Sequence, residues 1–320
     1  MPSDPHAPPA ADAAAEGLSR RAWTGVLAAL AAAALWSLNG PLIKLLNQAG
    51  DGVDGLAIAF YRSLFGGLIF VPLALRRLGT LRDAGWKWPV GSVACFTLMT
   101  AAFVIANTMT AAANAIVLQY TAPLWVVALS PLLLRERPRC SEAAALGIAM
   151  AGVATILLLQ PRSDLAGLTV ALASGCGYGA LTVALRGLRQ VSPVVVVAMN
   201  FAGSALLLAA PTAIWGSFVL TAGEAALIVT MSIVQFALPY LLFSLALQRI
   251  EAHRASLITL LEMVLNPIWT LLAVGERPPA ATLVGGPLVL LGVGAWMLAA
   301  SRAPKAVAKH AGGDARADSG

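Results

Sequence analysis

Charge is the scarcest commodity in this sequence: charged residues make up 11% of its 320 positions, against about 25% in an ordinary soluble domain. Histidine and cysteine occur three times each. Cys95, Cys140 and Cys176 have no pair spacing, so neither a disulfide framework nor a metal site is indicated. All eight aspartates (Asp4, Asp12, Asp51, Asp54, Asp83, Asp164, Asp314 and Asp318) lie in tails or connectors. Magnesium-dependent chemistry on lipid or prenyl substrates needs carboxylates clustered near the membrane, and none cluster there. His6 and His310 lie in the tails and His253 in a connector, which leaves a serine nucleophile without a buried base. A Walker loop is absent, as is a repeated filter sequence, so neither ATP hydrolysis nor an ion-channel filter is written here. The glycine cluster "GCGYG" (Gly175 to Gly179) follows no strand and reads as a close-packing or hinge surface rather than a dinucleotide-binding loop. No cofactor, metal or nucleic-acid partner is implied.

What the chain has is apolar length. Apolar residues make up 59% of it and the mean hydropathy is +0.80. They fall in ten blocks, at residues 22 to 44, 55 to 75, 88 to 106, 113 to 134, 142 to 159, 166 to 185, 194 to 215, 225 to 246, 255 to 274 and 281 to 300. Roughly 20 residues cross a hydrocarbon core about 30 Å thick. The pattern predicts an all-α integral membrane protein with ten transmembrane helices. The connectors are too short to house a soluble domain, and the tails, residues 1 to 20 and 301 to 320, read as disordered. The first tail is acidic and proline-rich, unlike a cleavable signal peptide, so the first block is expected to stay in the protein.

Of the 21 basic residues, 17 fall on the side of the membrane that holds the amino terminus. Lys44, Arg162 and Arg277 fall on the other side, and Arg62 lies within a span. This bias predicts an inner (plasma) membrane protein with both termini cytoplasmic, and it accounts for the net charge of +6 without a nucleic-acid partner. Oligomeric state, monomer or homodimer, is not legible.

Sliding the chain by 140 residues places Glu136, Arg137 and Pro138 on Glu276, Arg277 and Pro278, and Gly152 and Val153 on Gly292 and Val293. Near offset 142 Lys44 meets Arg186, and near 139 Pro72 meets Pro211. The chain therefore reads as two five-span repeats, residues 21–160 and 161–300. Five is odd, so the second repeat enters the membrane in the opposite sense. Inverted repeats build alternating-access transporters, with the site near the midplane between the halves.

These stretches resemble the ten-span drug/metabolite transporter superfamily, in its EamA branch. The residues that carry the resemblance are "ALWSLNGPLIK", the arginine of "FYRSLFGGLIF", "NAIVLQYTAPLWVVALSPLLLRERP", "ALPYLLFSLAL" and "ASLITLLEMVLNPIWTLLAVGERP". The resemblance spans roughly residues 22 to 300 and implies two EamA-type repeats around a central cavity. It also implies a carrier of small metabolites, often amino acids and often outward. The alternative is a membrane-embedded enzyme acting on lipid or prenyl substrates, which the scattered carboxylates disfavour. One departure stands out. The family often follows its ninth-span glutamate with proline, whereas Met263 follows Glu262 here and Pro267 comes later, which predicts a kink about one turn farther along.

Glu262 is the single carboxylate inside the last repeat's core spans, where a charge costs roughly 2.5 to 3.5 kcal/mol on insertion scales. It reads as a structural hydrogen-bonding carboxyl, a proton-coupling carboxyl or a direct contact for a cargo amine. Counting 1.5 Å per residue, Glu262 and Arg62 differ by about 10 Å in depth, so a direct ion pair requires reach or tilt. Arg62 snorkels to the outer headgroups, plays a structural hydrogen-bonding role, or holds an anionic group in the cavity. Lys44, Glu136 and Glu276 read as interfacial, the two glutamates as caps. Asn107, Asn200, Trp125, Tyr61 and Trp269 are expected to face protein or water. Trp36, Asn39, Gln119, Tyr120, Tyr178, Gln235, Tyr240 and Asn266 sit toward mid-span and join Arg62 and Glu262 as candidate lining of the substrate cavity. Trp86, Trp88, Trp215 and Trp296 mark the interfaces.

Overall fold

The structure is a computed structural model that describes residues 10–48, 52–82, 84–133, 140–250 and 252–301. Every element is helical among these residues. In chain order they are α1 (Ala10–Ser37), α2 (Asn39–Gln48), α3 (Gly55–Ala74), α4 (Lys87–Met109), α5 (Ala112–Gln119), α6 (Ala122–Leu133) and α7 (Cys140–Leu159). They continue as α8 (Leu165–Gly187), α9 (Pro193–Trp215), α10 (Ala222–Thr230), α11 (Leu238–Leu247), α12 (Ala252–Thr259), α13 (Leu261–Val274) and α14 (Ala280–Ser301).

Nine stretches of described residues are long and apolar enough to cross a membrane. The remaining span, fifth in chain order, is α7, whose apolar part, Ala144–Leu159, is shorter. The chain is a multi-pass membrane protein. Helix α1 begins at Ala10, inside the stretch read as a tail, because "AADAAAEG" is rich in good helix formers. Residues 1–9 and 302–320 of the two tails, and Glu136, lie outside the described residues.

Local chemistry explains where several helices start. Asp54 caps α3 by accepting from the Ala57 N–H at 2.9 Å, and its other carboxylate oxygen accepts from Ser217 N–H at 3.0 Å. Thr221 and Glu224 form a capping box that opens α10. Proline at the first position of α9 uses a place where no N–H is needed.

The packing repeats itself. The second and seventh spans, α3 and α9, pack together, as do the fifth and tenth, α7 and α14. The first span meets the eighth through α1 and α11, and the sixth meets the third through α8 and α4. Exchanging the two halves maps each of the first two contacts onto itself and the last two onto each other, which is the signature of a two-fold relation between repeats. With five spans in each half, that axis lies in the membrane plane. Close approach depends on glycine at the α7–α14 seam: a Cβ on Gly152 would fall 2.5 Å from the Gly285 carbonyl oxygen, and one on Gly285 would fall 2.5 Å from the oxygen of Gly152. The Gly175–Gly179 cluster is likewise a packing surface, Gly177 lying against Met99 of α4 and Gly179 against Trp125 of α6.

Candidate functional site

Among the described residues, four spans are irregular in their interiors. The first divides at Leu38 between α1 and α2, the fourth at Tyr120 and Thr121 between α5 and α6, and the ninth at Leu260 between α12 and α13. In the eighth, Met231–Ala237 forms a π-helical turn between α10 and α11. Tyr120 and Leu260 are 140 residues apart, so the breaks of the fourth and ninth spans occupy equivalent places in the two repeats. Broken helices at membrane depth occur where the freed backbone faces protein or a cavity.

Arg62, on α3, is 1% exposed. Its guanidinium carbon lies 4.1 Å from the centroid of the Phe236 ring, and Nη2 donates a long hydrogen bond of 3.4 Å to Gln235 Oε1. Gln235 in turn donates to the Trp36 carbonyl at 3.4 Å. Both Phe236 and Gln235 come from the π-helical turn, whose widened register presents them to α3. Nε and Nη1 of Arg62 have no hydrogen-bond partner. The arginine does not snorkel; a cation–π contact and a buried amide hold it inward. Trp36 packs edge-on against Tyr240 at 5.3 Å and tilted against Phe243 at 5.5 Å, and Tyr240 contacts Phe236 at 5.9 Å. The first, second and eighth spans thus build an aromatic wall around one unsatisfied cation.

Glu262 lies in the first turn of α13, where the positive end of the helix dipole favours a carboxylate. Tyr120, from the break in the fourth span, places its hydroxyl 2.9 Å from Glu262 Oε2 and 2.9 Å from the carbonyl oxygen of Thr259. No salt bridge joins Arg62 to Glu262 among the described residues, although each charge lies in the field of the other, and Tyr178 and Tyr240 share that field.

The remaining candidates divide. Asn39 Oδ1 and both amide atoms of Asn266 are buried without partners, on the facing helices α2 and α13. Tyr178 is 37% exposed. Gln119 instead donates to Ser174 Oγ at 2.9 Å, and Ser174 donates to the Met99 carbonyl at 3.0 Å, so it ties three spans together. Of the other polar residues, Trp269 donates to Ser37 Oγ at 2.9 Å, Asn200 accepts from Ser92, and Asn107 donates back to Phe103 O. Trp86 and Trp215 are exposed, and Trp88 packs on Gly187.

Two expectations are corrected. Lys44 is not merely interfacial: its Nζ lies 2.7 Å from Glu276 Oε2 and donates to the Thr110 carbonyl at 2.8 Å, largely buried. Glu276 is a cap, as expected of its position, but of the opposite repeat, its Oε1 accepting from Ala112 N–H at 2.7 Å at the start of α5. Gly275, in the left-handed region at φ 72°, turns the chain after α13 to bring Glu276 there. The irregularity of the ninth span falls at Leu260, before Glu262, while Pro267 sits inside a continuous α13. Phe236 and the Thr259 carbonyl were not singled out by sequence; the phenylalanine's neighbouring glutamine was the available signal.

The EamA-like transporter family model matches residues 23–158 and 165–297, one match per repeat. An uncharacterized transporter of Archaeoglobus fulgidus is 29% identical over 250 residues, covering 76% of this chain and 86% of its own length. The uncharacterized transporter YwfM of Bacillus subtilis is 26% identical over 285 residues, 86% and 93% of the respective lengths. A protein of known crystal structure, 21% identical, superposes with a TM-score of 0.59 over 87% of this chain and 98% of its own, which shows the fold alone. Family and relatives point to transport rather than catalysis, and the chain belongs to the EamA-like transporter family.

Proposed function

We propose that the protein is a secondary transporter of the inner membrane, with both termini cytoplasmic, that exports small amphipathic metabolites, amino acids foremost, by alternating access between its two repeats. Glu262 is the proton-coupling carboxyl in this reading. The observation that carries it is the Arg62 guanidinium, 1% exposed, with Nε and Nη1 unengaged in the same electrostatic neighbourhood as Glu262. A buried charge with two nitrogens left without acceptors is costly, and a cargo carboxylate supplies them. An α-amino acid brings a carboxylate for Arg62, an ammonium for Glu262 and a side chain for the wall of Trp36, Phe236 and Tyr240. The scarcity of other basic groups at this depth disfavours polyanionic cargo such as sugar phosphates.

The test is counterflow of radiolabelled amino acids into proteoliposomes preloaded with each unlabelled one. Uptake is expected for at least one amino acid with an apolar side chain. Arg62→Met is expected to raise its KM by about 10- to 100-fold, the equivalent of the roughly 1.5 to 3 kcal/mol of a hydrogen bond to a charged group. Absence of counterflow for every amino acid would remove this cargo class.

A further inference from the structure

The break in the ninth span has no proline behind it. Pro123 lies in the first turn of α6, just past the equivalent break in the fourth span, and 140 residues on the chain carries Met263. Proline has no N–H, so a proline at 263 would make the break permanent. Methionine keeps its N–H. In an uninterrupted α-helix that N–H would bond the carbonyl four residues back, that of Thr259. Here it donates instead to Leu260 O at 3.1 Å, and the Thr259 carbonyl accepts the Tyr120 hydroxyl at 2.9 Å. A side chain from one repeat therefore occupies the backbone acceptor whose release would let the other repeat's span close up.

The same hydroxyl touches Glu262 Oε2 at 2.9 Å, and it has a single hydrogen. Both contacts are hydrogen bonds at once only when Glu262 is protonated: the carboxyl O–H donates to Tyr120 Oη, and Tyr120 O–H donates to Thr259 O. When the proton leaves for water in the open cavity, one hydrogen faces two acceptors. The carboxylate takes it, because a charge-assisted bond is roughly twice as strong as a neutral one. The Thr259 carbonyl then loses the tyrosine hydroxyl, and the Met263 N–H takes its place.

We infer that Tyr120 is a positioning residue that makes the break in the ninth span protonation-dependent: with Glu262 protonated the span is held broken at Leu260, and with Glu262 ionised the Met263 N–H returns to Thr259 O and the span straightens. This deepens the proposed coupling role of Glu262 and rests on it. The other groups around Glu262 are Arg62 on α3, Tyr178 on α8 and Tyr240 on α11. Of the helices packed against α13, α2 carries Lys44, engaged with Glu276 at the far end. Helix α12 carries His253 and Arg254, whereas α5 and α1 from Ala22 onward carry no titratable side chain.

The experiment follows the Met263 amide by NMR in purified protein labelled with 15N-methionine, the resonance assigned by its loss in Met263→Leu. In wild type it is expected to move with pH between two positions. Glu262→Gln, whose amide donates to Tyr120 as the protonated acid does, is expected to hold it at the low-pH position at all pH values. Tyr120→Phe, which cannot occupy Thr259 O, is expected to hold it at the high-pH position. An amide that ignores pH in wild type, or that still titrates in Glu262→Gln, overturns the inference, and the second of these decides it even if Tyr120→Phe fails to fold. No cargo is needed for this readout: a titrating Met263 without amino-acid counterflow leaves the hinge standing and removes the cargo class, and the reverse combination removes the hinge alone.

Discussion

Separating Lys44 from Glu276 tests how firmly the two repeats are fastened to each other at this ion pair. The pair spans 2.7 Å, and the two side chains are 11% and 23% exposed. At an effective dielectric constant near 20, unit charges at that distance attract by about 6 kcal/mol. Desolvation of two largely buried ions takes back several kcal/mol, leaving a net coupling of about 2 to 4 kcal/mol. Glu276→Gln preserves the cap on Ala112 but strands the Lys44 charge beside the Thr110 carbonyl. Lys44→Met strands the carboxylate. Each single variant should therefore lose about 3 to 5 kcal/mol, as removal of one partner of a buried pair does, and the double variant should lose less than the sum. A double-mutant cycle on unfolding free energies in mixed micelles reads the coupling. A value below about 0.5 kcal/mol, the level of an exposed surface pair, would refute the assignment of Lys44 and Glu276 as a buried fastening.

Two further predictions concern the site and the scaffold. Arg62→Lys should not restore what Arg62→Met loses, because an ammonium cannot lie flat on Phe236 while reaching both Gln235 and a carboxylate; a KM within twofold of wild type in the lysine variant would show that charge alone suffices. Gly152→Leu should destabilise the protein by about 1 to 3 kcal/mol through overpacking against Gly285, whereas the same change at Gly147, which has open space around it, should be nearly neutral in thermal unfolding.

The spans and the repeat were legible because both are carried by long averages: block length, the recurrence of Glu-Arg-Pro, and the paired prolines Pro72 and Pro211, which the structure places inside the contacting helices α3 and α9. The breaks were not, since a single residue such as Leu38 or Leu260 interrupts a helix without changing its hydropathy. Two of them had a usable mark. Pro41 and Pro123 each sit in the first turn after a break, where proline is tolerated. The third is held by Tyr120, 140 residues away, and tertiary hydrogen bonds of that kind leave no local pattern. Depth counting placed Arg62 toward the outer side, and snorkelling followed from depth alone. The π-helical turn that brings Phe236 and Gln235 to it is a backbone register shift that composition does not encode. Lys44 and Glu276 were each read at a membrane boundary, yet the pairing between repeats was invisible because it depends on how α13 turns at Gly275.

Proton coupling through Glu262 is tested most directly by uptake into proteoliposomes of whichever amino acid shows counterflow, with and without an imposed pH gradient, in wild type and Glu262→Gln. In wild type the ratio of gradient-driven uptake to counterflow is expected to rise well above one, and in Glu262→Gln to fall to one. A ratio that responds equally to the gradient in both proteins would contradict a coupling role for Glu262.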